Sequence, residues 1–363
     1  MLKIQKPKTF GEFLKQTVIN FLAIMGMLII VKYFGMPLID RSMITSAADG
    51  NYDAVKQKLD YFYADVNGRG KEGAMALHAA AQIGDARIAE LLLSHGADTN
   101  ILIGSEGTAA LDYAIQLHNY DVARLILAKG VTPSIATTAL RQFANETWGV
   151  SRFGQMSQIE LIPTEIKKEI GEELIRQGAD VNNAIPFAVS SNNIVILDML
   201  LAHGADLSKS YDSFGQCIMF QANSPTMIDY LIKHGVNVDC LNLETYGTAL
   251  FTLEYPENER KGQISDGAYI DKDSNTTVLE GLLKAGANPN AQDKKGNTPL
   301  FVLDKAEQIA MLLRYGANTN IKNKMGQTPY EYHLRQSGPR RTEILILLNP
   351  RNQNKPNKEK RWY

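Results

Sequence analysis

The chain has 363 residues, 44% of them hydrophobic, and its 38 Lys+Arg against 39 Asp+Glu leave a formal net charge of -1. That balance argues against nucleic acid or a strongly charged small molecule as the partner. The length would allow two or three domains, but the internal repeats leave no gap wide enough for a separate one, so a single elongated domain is expected.

Residues 1–16 are basic at Lys3, Lys6, Lys8 and Lys15, against Glu12. From Val18 to Val31 the chain is apolar except for Asn20. At about 1.5 Å per residue this run falls short of a bilayer core of about 30 Å, and reading on through Lys32 to Ile39 makes up the difference. Lys32 would snorkel, with Tyr33 and Phe34 as interfacial aromatics. No small-residue cleavage site follows closely and no cysteine follows to carry a lipid, so residues 17–39 are expected to form an uncleaved transmembrane signal anchor. A buried amphipathic helix would show an apolar stripe instead of a run. Beyond Ile39 the charges are mixed (Asp40, Arg41, Asp49, Asp53, Lys56, Lys58), so the lysine bias keeps the N-terminus in the cytoplasm. The rest of the chain is then expected on the periplasmic side of the inner (cell) membrane, the cytoplasmic side being the alternative.

From residue 43 onward one phrase recurs: Gly96-Ala97-Asp98-Thr99-Asn100, Gly178-Ala179-Asp180-Val181-Asn182, Gly204-Ala205-Asp206-Leu207-Ser208, Gly235-Val236-Asn237-Val238-Asp239, Gly286-Ala287-Asn288-Pro289-Asn290 and Gly316-Ala317-Asn318-Thr319-Asn320. Each follows an apolar stretch ending in a leucine pair or its equivalent, such as Leu200-Leu201 or Leu312-Leu313. The glycine reads as a helix stop, and the Asp or Asn after it favours a tight turn. Helix openings lie between the phrases: Gly296-Asn297-Thr298-Pro299-Leu300, Gly326-Gln327-Thr328-Pro329-Tyr330 and the looser Gly73-Ala74-Met75-Ala76-Leu77-His78. Threonine is expected to cap there, and proline fits the first turn.

A turn, a capped helix, a short loop, a second helix and a glycine stop together resemble the ankyrin repeat, whose unit is about 33 residues with a Thr-Pro-Leu-His-type start. The stop glycines 96, 130, 178, 204, 235, 286 and 316 are separated by 34, 48, 26, 31, 51 and 30 residues. With a degenerate opening unit near Ala47 and a closing one from Ile321 to Leu348, the resemblance covers 43–349 and implies about nine units. The expected fold is all-α: a solenoid of degenerate helix-turn-helix units with short β-turn tips, preceded by the transmembrane helix. Small residues such as Ala79-Ala80-Ala81 let neighbouring helices approach closely. In the family the motif histidine, here His78, ties one repeat to the next by hydrogen bonds.

No catalytic constellation is legible, and no cofactor or metal is implied. His95, His203 and His234 each precede a stop glycine, and equivalent solenoid positions lie too far apart to share a metal. His118 and His333 have no partners readable from the sequence. Gly104-Ser105-Glu106-Gly107 is not a nucleophile elbow. Cys217 and Cys240 are the only cysteines; they lack metal-ligand spacing and are expected as two buried thiols, a disulfide between them being the alternative.

The spacing of 26 implies a unit without its turn tip, and the spacings of 48 and 51 imply insertions at one point of the unit. The first insertion carries Trp148, Arg152, Phe153 and Met156, residue types favoured at interfaces, and the second, Tyr255 to Asp273, is charged. Residues 350–363 form a basic polar tail. The resemblance implies a protein partner held by the insertions, the concave face and turn tips such as Lys294 and Lys295, with no small-molecule substrate. The anchor and divergent array also resemble bacterial envelope ankyrin proteins, among them immunity proteins that neutralise lipase toxins delivered by type VI secretion. A phospholipase effector is the partner that likeness implies, and an envelope scaffold organising a membrane complex is the alternative.

Overall fold

The computed structural model describes residues 36–62, 64–70, 73, 75–145, 163–209, 217–254, 274–336 and 341–353. Residues 17–35 of the expected anchor and both insertions (147–156 and 255–273) lie outside them. The last four anchor residues, Met36–Ile39, open a 13-residue helix, so the first repeat helix begins seven positions before the expected boundary at 43. Among the described residues no helix is long and apolar enough to cross a membrane.

The chain divides into two compact units. Unit 1 holds α1 (Met36–Ala48), α2 (Tyr52–Phe62), α3 (Ala76–Ile83), α4 (Ala86–Ser94), the hairpin β1 (Leu102–Ile103) and β2 (Thr108–Ala109), α5 (Ala110–Gln116) and α6 (Tyr120–Lys129). Helices α7 (Pro133–Ala144) and α8 (Thr164–Arg176) contribute residues to both units. Unit 2 continues with α9 (Val181–Ser190), α10 (Ile194–Ala202), α11 (Pro225–Lys233), α12 (Ser274–Lys284), α13 (Pro299–Val302), α14 (Ala306–Arg314), α15 (Pro329–Arg335), α16 (Arg341–Leu348) and α17 (Pro350–Gln353).

Each unit packs as two layers. In unit 1 the first helices α1, α3 and α5 stack on one another, and the second helices α2, α4 and α6 do the same. The inner layer must be thin, and its sequence makes it so: Ala76, Leu77, His78, Ala79, Ala80 and Ala81 of α3 are all buried. In unit 2 the second helices α11, α12, α14 and α16 stack in order. Two first helices there have shrunk to 3-10 turns, Ile218–Gln221 and Ala249–Glu254.

The repeated phrase has a structural explanation at each position. The residue after the glycine closes the preceding helix by donating to the carbonyl of the first paired leucine or its equivalent: Ala97 to Leu92, Ala205 to Leu200, Val236 to Leu231, Ala287 to Leu282 and Ala317 to Leu312. That six-to-one bond requires a left-handed residue between, and Gly286 sits at φ 90°. The Asp or Asn then accepts from the backbone N–H two residues on, as Asp98 does from Asn100 at 2.8 Å and Asn318 from Asn320 at 2.9 Å. The final Asn reaches the next phrase: Asn67 accepts from the N–H of Asp98, Asn182 from Asp206 and Asn290 from Asn318.

Four of the described loops between paired helices share a second rule, one not anticipated from the sequence. The chain turns left-handed at Gly50, Gly84, His118 and Asn192, and an Asn or Asp comes next each time. Asp85 then caps α4 by accepting from the N–H groups of Arg87 and Ile88. The spacing of 26 has its expected cause, since Asp180 caps α9 directly and no turn tip intervenes.

Two expectations change. Thr328 caps α15 in a reciprocal box with Glu331, but the buried Thr298 hydroxyl caps nothing. Helix α13 is a single turn in which the Phe301 N–H donates to the Thr298 carbonyl and so is unavailable to the hydroxyl. Cys217 and Cys240 are joined in a disulfide, with Cα atoms 6.2 Å apart, where two separate thiols were expected. Their separation of 23 residues spans one repeat, and stacking brings the two ends of that stretch together.

Candidate partner-binding surface

Three successive turn tips of unit 2 are built on one plan. Asn242, Asp293 and Asn323 each open a turn by donating their N–H to the carbonyls of Gly247, Asn297 and Gln327, at 2.9 Å in all three. Their side-chain oxygens then accept from N–H groups inside the turn: Thr245 to Asn242 at 2.7 Å, Lys295 to Asp293 at 2.8 Å and Met325 to Asn323 at 3.0 Å. Neighbouring tips are tied by backbone bonds, Lys294 N–H to Thr245 at 2.8 Å and Lys324 N–H to Lys295 at 3.0 Å. The tips therefore form a ridge whose backbone groups are occupied and whose side chains stand outward.

The exposed side chains are of two kinds. Leu243 is 59% exposed, Tyr246 51% and Met325 77%, with Leu241 also exposed at 42%. Between them stand Lys294, Lys295 and Lys324, all exposed. Glu244 is the exposed acid of the first tip, whereas the Asp293 carboxylate is engaged in its own turn.

Tyr246 lies at φ 58°, in the left-handed region. The matching positions of the next two tips are Gly296 at 75° and Gly326 at 74°. A bulky residue held there is strained by about 1–2 kcal/mol, and such residues concentrate at functional sites. At Gly296 a Cβ would meet the Lys324 nitrogen at 3.0 Å, so glycine is required by the next tip as well as by φ. Tyr246 is thus the aromatic that one tip displays where its neighbours show no side chain.

Residues 43–137 match the family model for ankyrin repeats, in three copies. Ankyrin repeats are shown over that stretch. It is also similar to human Rabankyrin-5, 30% identical over 123 residues, which cover 33% of this chain and 10% of that protein. The chain therefore spans about a tenth of the length of that relative. The ankyrin tie expected at His78 is present: its Nε2 donates to the Ile101 carbonyl at 3.1 Å, and burial holds the ring pKa below its ordinary value.

Of the residues singled out from the sequence, Lys294 and Lys295 fall on the ridge. Trp148, Arg152, Phe153 and Met156 lie outside the described residues. Leu241, Leu243, Tyr246, Lys324 and Met325 were not anticipated from the sequence. The available signal was alignment of the tips, which sets Tyr246 against Gly296 and Gly326. The histidines before the stop glycines keep separate partners: His95 lies 3.3 Å from Asp60, His203 2.6 Å from Glu172, and His234 Nδ1 donates to the Tyr230 carbonyl at 2.8 Å. His333, without a readable partner in the sequence, donates to the Leu300 carbonyl at 2.9 Å. Among the described residues no group of His, Cys, Asp and Glu could hold a metal ion.

Proposed function

We propose that this chain is a membrane-tethered protein-interaction module that grips one partner through the turn-tip ridge of its second unit. The observation that carries the reading is the strained, half-exposed Tyr246 on the same tip as exposed Leu243, with exposed lysines on the next tip and exposed Met325 on the one after it, all on a hydrogen-bonded backbone. Aromatic and Met side chains on a rigid scaffold are the anchors that dominate binding energy, while the lysines favour a partner with carboxylates around its apolar contacts. The insertion bearing Trp148, Arg152, Phe153 and Met156 extends the same reading.

In this reading the tether is the apolar run from Val18 to Ile39, and the lysine bias before it supports a position of the repeats outside the cytoplasm. The Cys217–Cys240 pairing supports that side, because disulfides persist in oxidising compartments. A reporter fused after Tyr363 should be active on the outer side of the membrane, and cytoplasmic activity would overturn the placement. The narrower form of the proposal is immunity toward a lipase toxin.

The test is capture of partners by the full-length chain, identified by mass spectrometry, with Leu243→Ser, Tyr246→Ser and Met325→Ser as controls. Loss of one partner with all three variants supports the ridge. Inhibition of a captured phospholipase by the chain would establish immunity, and capture of membrane proteins without inhibition would favour the scaffold.

A further inference from the structure

Two kinds of side-chain tie join successive repeats elsewhere in this chain, and both fail at the junction before the Leu241–Tyr246 tip. The first is the asparagine bridge, in which the last residue of one phrase accepts from the third residue of the next. At this junction the last residue is Ser208, whose hydroxyl donates to Asp206 within its own turn. Among the described residues no such bridge reaches Asn237. The second is the histidine tie, seen where His78 donates to Ile101, five residues past Gly96. The equivalent of His78 is Phe220, which has no ring N–H, and the equivalent of Ile101 is Cys240, five residues past Gly235. Cys217 stands three residues before Phe220, as Met75 stands before His78, and it is bonded to Cys240. A covalent link has taken the place of the missing ties.

The link sits at the base of the tip. Cys240 is half-buried and precedes Asn242, whose N–H and side-chain oxygen build the whole tip, by two residues. On the far side the tip is anchored by buried Thr248, Ala249 and Leu250. The entry side, Val236 to Asp239, is half-buried or exposed, and Cys240 is the place where it is fixed to the preceding repeat.

We propose that the Cys217–Cys240 disulfide is the clasp that orders the Leu241–Tyr246 tip, so that the ridge is presented in full only after the two thiols are oxidised. This rests on the reading of the ridge as the partner-binding surface. Oxidation joins the two sulfurs and releases two protons and two electrons, which reduce the disulfide of a dithiol oxidoreductase to its dithiol. Closing the loop removes disordered conformations of the entry segment and suppresses local opening of the tip.

The experiment is hydrogen–deuterium exchange on the full chain in three forms: oxidised, reduced under native conditions, and Cys217→Ser/Cys240→Ser. Amides of 238–248 should exchange about tenfold or more slowly in the oxidised form than in the other two, and those of 76–94 should not change. Adding Ser208→Asn to the double serine variant should restore part of the protection, since asparagine rebuilds the missing bridge. Equal exchange of 238–248 in all three forms would overturn the proposal. So would reactive thiols in chain recovered from an oxidising compartment, or a loss of protection spread equally over 299–314. Failure of the ridge reading has a different signature: the exchange difference persists while Leu243 and Tyr246 variants capture the partner as wild type does.

Discussion

The N–H of Asn318 donates to Oδ1 of Asn290 at 2.7 Å, and Nδ2 of Asn290 donates back to the carbonyl of Gly316 at 3.1 Å. One amide side chain thus satisfies two backbone groups of the next phrase. Asn67 makes the same pair of bonds to Asp98 and Gly96, at 2.9 and 3.2 Å. This is why the phrase ends in Asn more often than in any other residue: the exchange requires a donor and an acceptor on one short stem. Replacing Asn290 by Ala should destabilise unit 2 by about 1–2 kcal/mol, read from the urea midpoint. Asn290→Asp keeps the acceptor and should lose about half as much. An unchanged midpoint for Asn290→Ala would show that the bridge adds nothing.

Gly286 and Gly178 separate conformation from packing. Both are left-handed, at φ 90° and 89°. A Cβ on Gly286 meets nothing within 4 Å, whereas one on Gly178 comes to 3.2 Å from Cγ of Pro133. Gly286→Ala should therefore cost about 1 kcal/mol from backbone strain alone, and Gly178→Ala should cost more. Equal losses in thermal unfolding would mean that Pro133 yields freely, and no loss at Gly286 would mean that the helix ends elsewhere.

The fold was legible because its signals are local. A glycine after a leucine pair and an Asx after the glycine specify the helix stop and the turn within a few residues, and both are present as expected. The candidate surface was less legible because it depends on what stacking brings side by side. Leu243, Lys294 and Met325 are far apart in the chain, and only hydrogen bonds between tips make them neighbours. The cysteine pair belongs to the same class, since nothing local to Cys217 or Cys240 shows that they approach. The short 3-10 turn at Ile218–Gln221 was likewise hidden, because its apolar residues fit a longer helix equally well.

Asp112 occupies in α5 the place that His78 holds in α3, and its burial has a pH signature. It is 3% exposed, with Oδ2 accepting from the Ala109 N–H at 2.8 Å. Burial raises its pKa from 3.8 to about 6, and that hydrogen bond offsets only part of the rise. The folded pKa lies above the unfolded one, so the contribution to stability is full below about pH 4 and is lost as pH rises through about 6. A shift of this size corresponds to about 3 kcal/mol as an order of magnitude. Asp112→Asn removes the titration, so its stability relative to wild type should climb between pH 4 and 7 and then level. The low pKa of buried His78 acts in the opposite sense, but it is common to both chains and cancels in the difference. A difference flat across that range would show that the carboxylate is solvated.

Tyr246 allows stability and binding to be moved in opposite directions. A tyrosine at φ 58° is strained, and glycine there, as at positions 296 and 326, would relieve it. After the extra backbone entropy of glycine in the unfolded chain is subtracted, Tyr246→Gly should stabilise unit 2 by about 0.5–1 kcal/mol. The same change deletes the aromatic of the first tip and should weaken partner capture by about 2 kcal/mol, roughly thirtyfold in Kd. Tyr246→Asn tolerates the left-handed region and should behave in the same way. Lys294→Ala with Lys295→Ala should act differently, leaving stability unchanged and lowering affinity mainly through a slower, salt-sensitive association. If Tyr246→Gly is more stable and still binds as wild type, the strained tyrosine is not a contact. Loss of capture on changing Trp148, Arg152 and Phe153 together to alanine would then move the anchor to the first insertion. A variant both stabilised and unable to bind would show that the strain at Tyr246 is retained for recognition, because nothing in the fold itself requires an aromatic there.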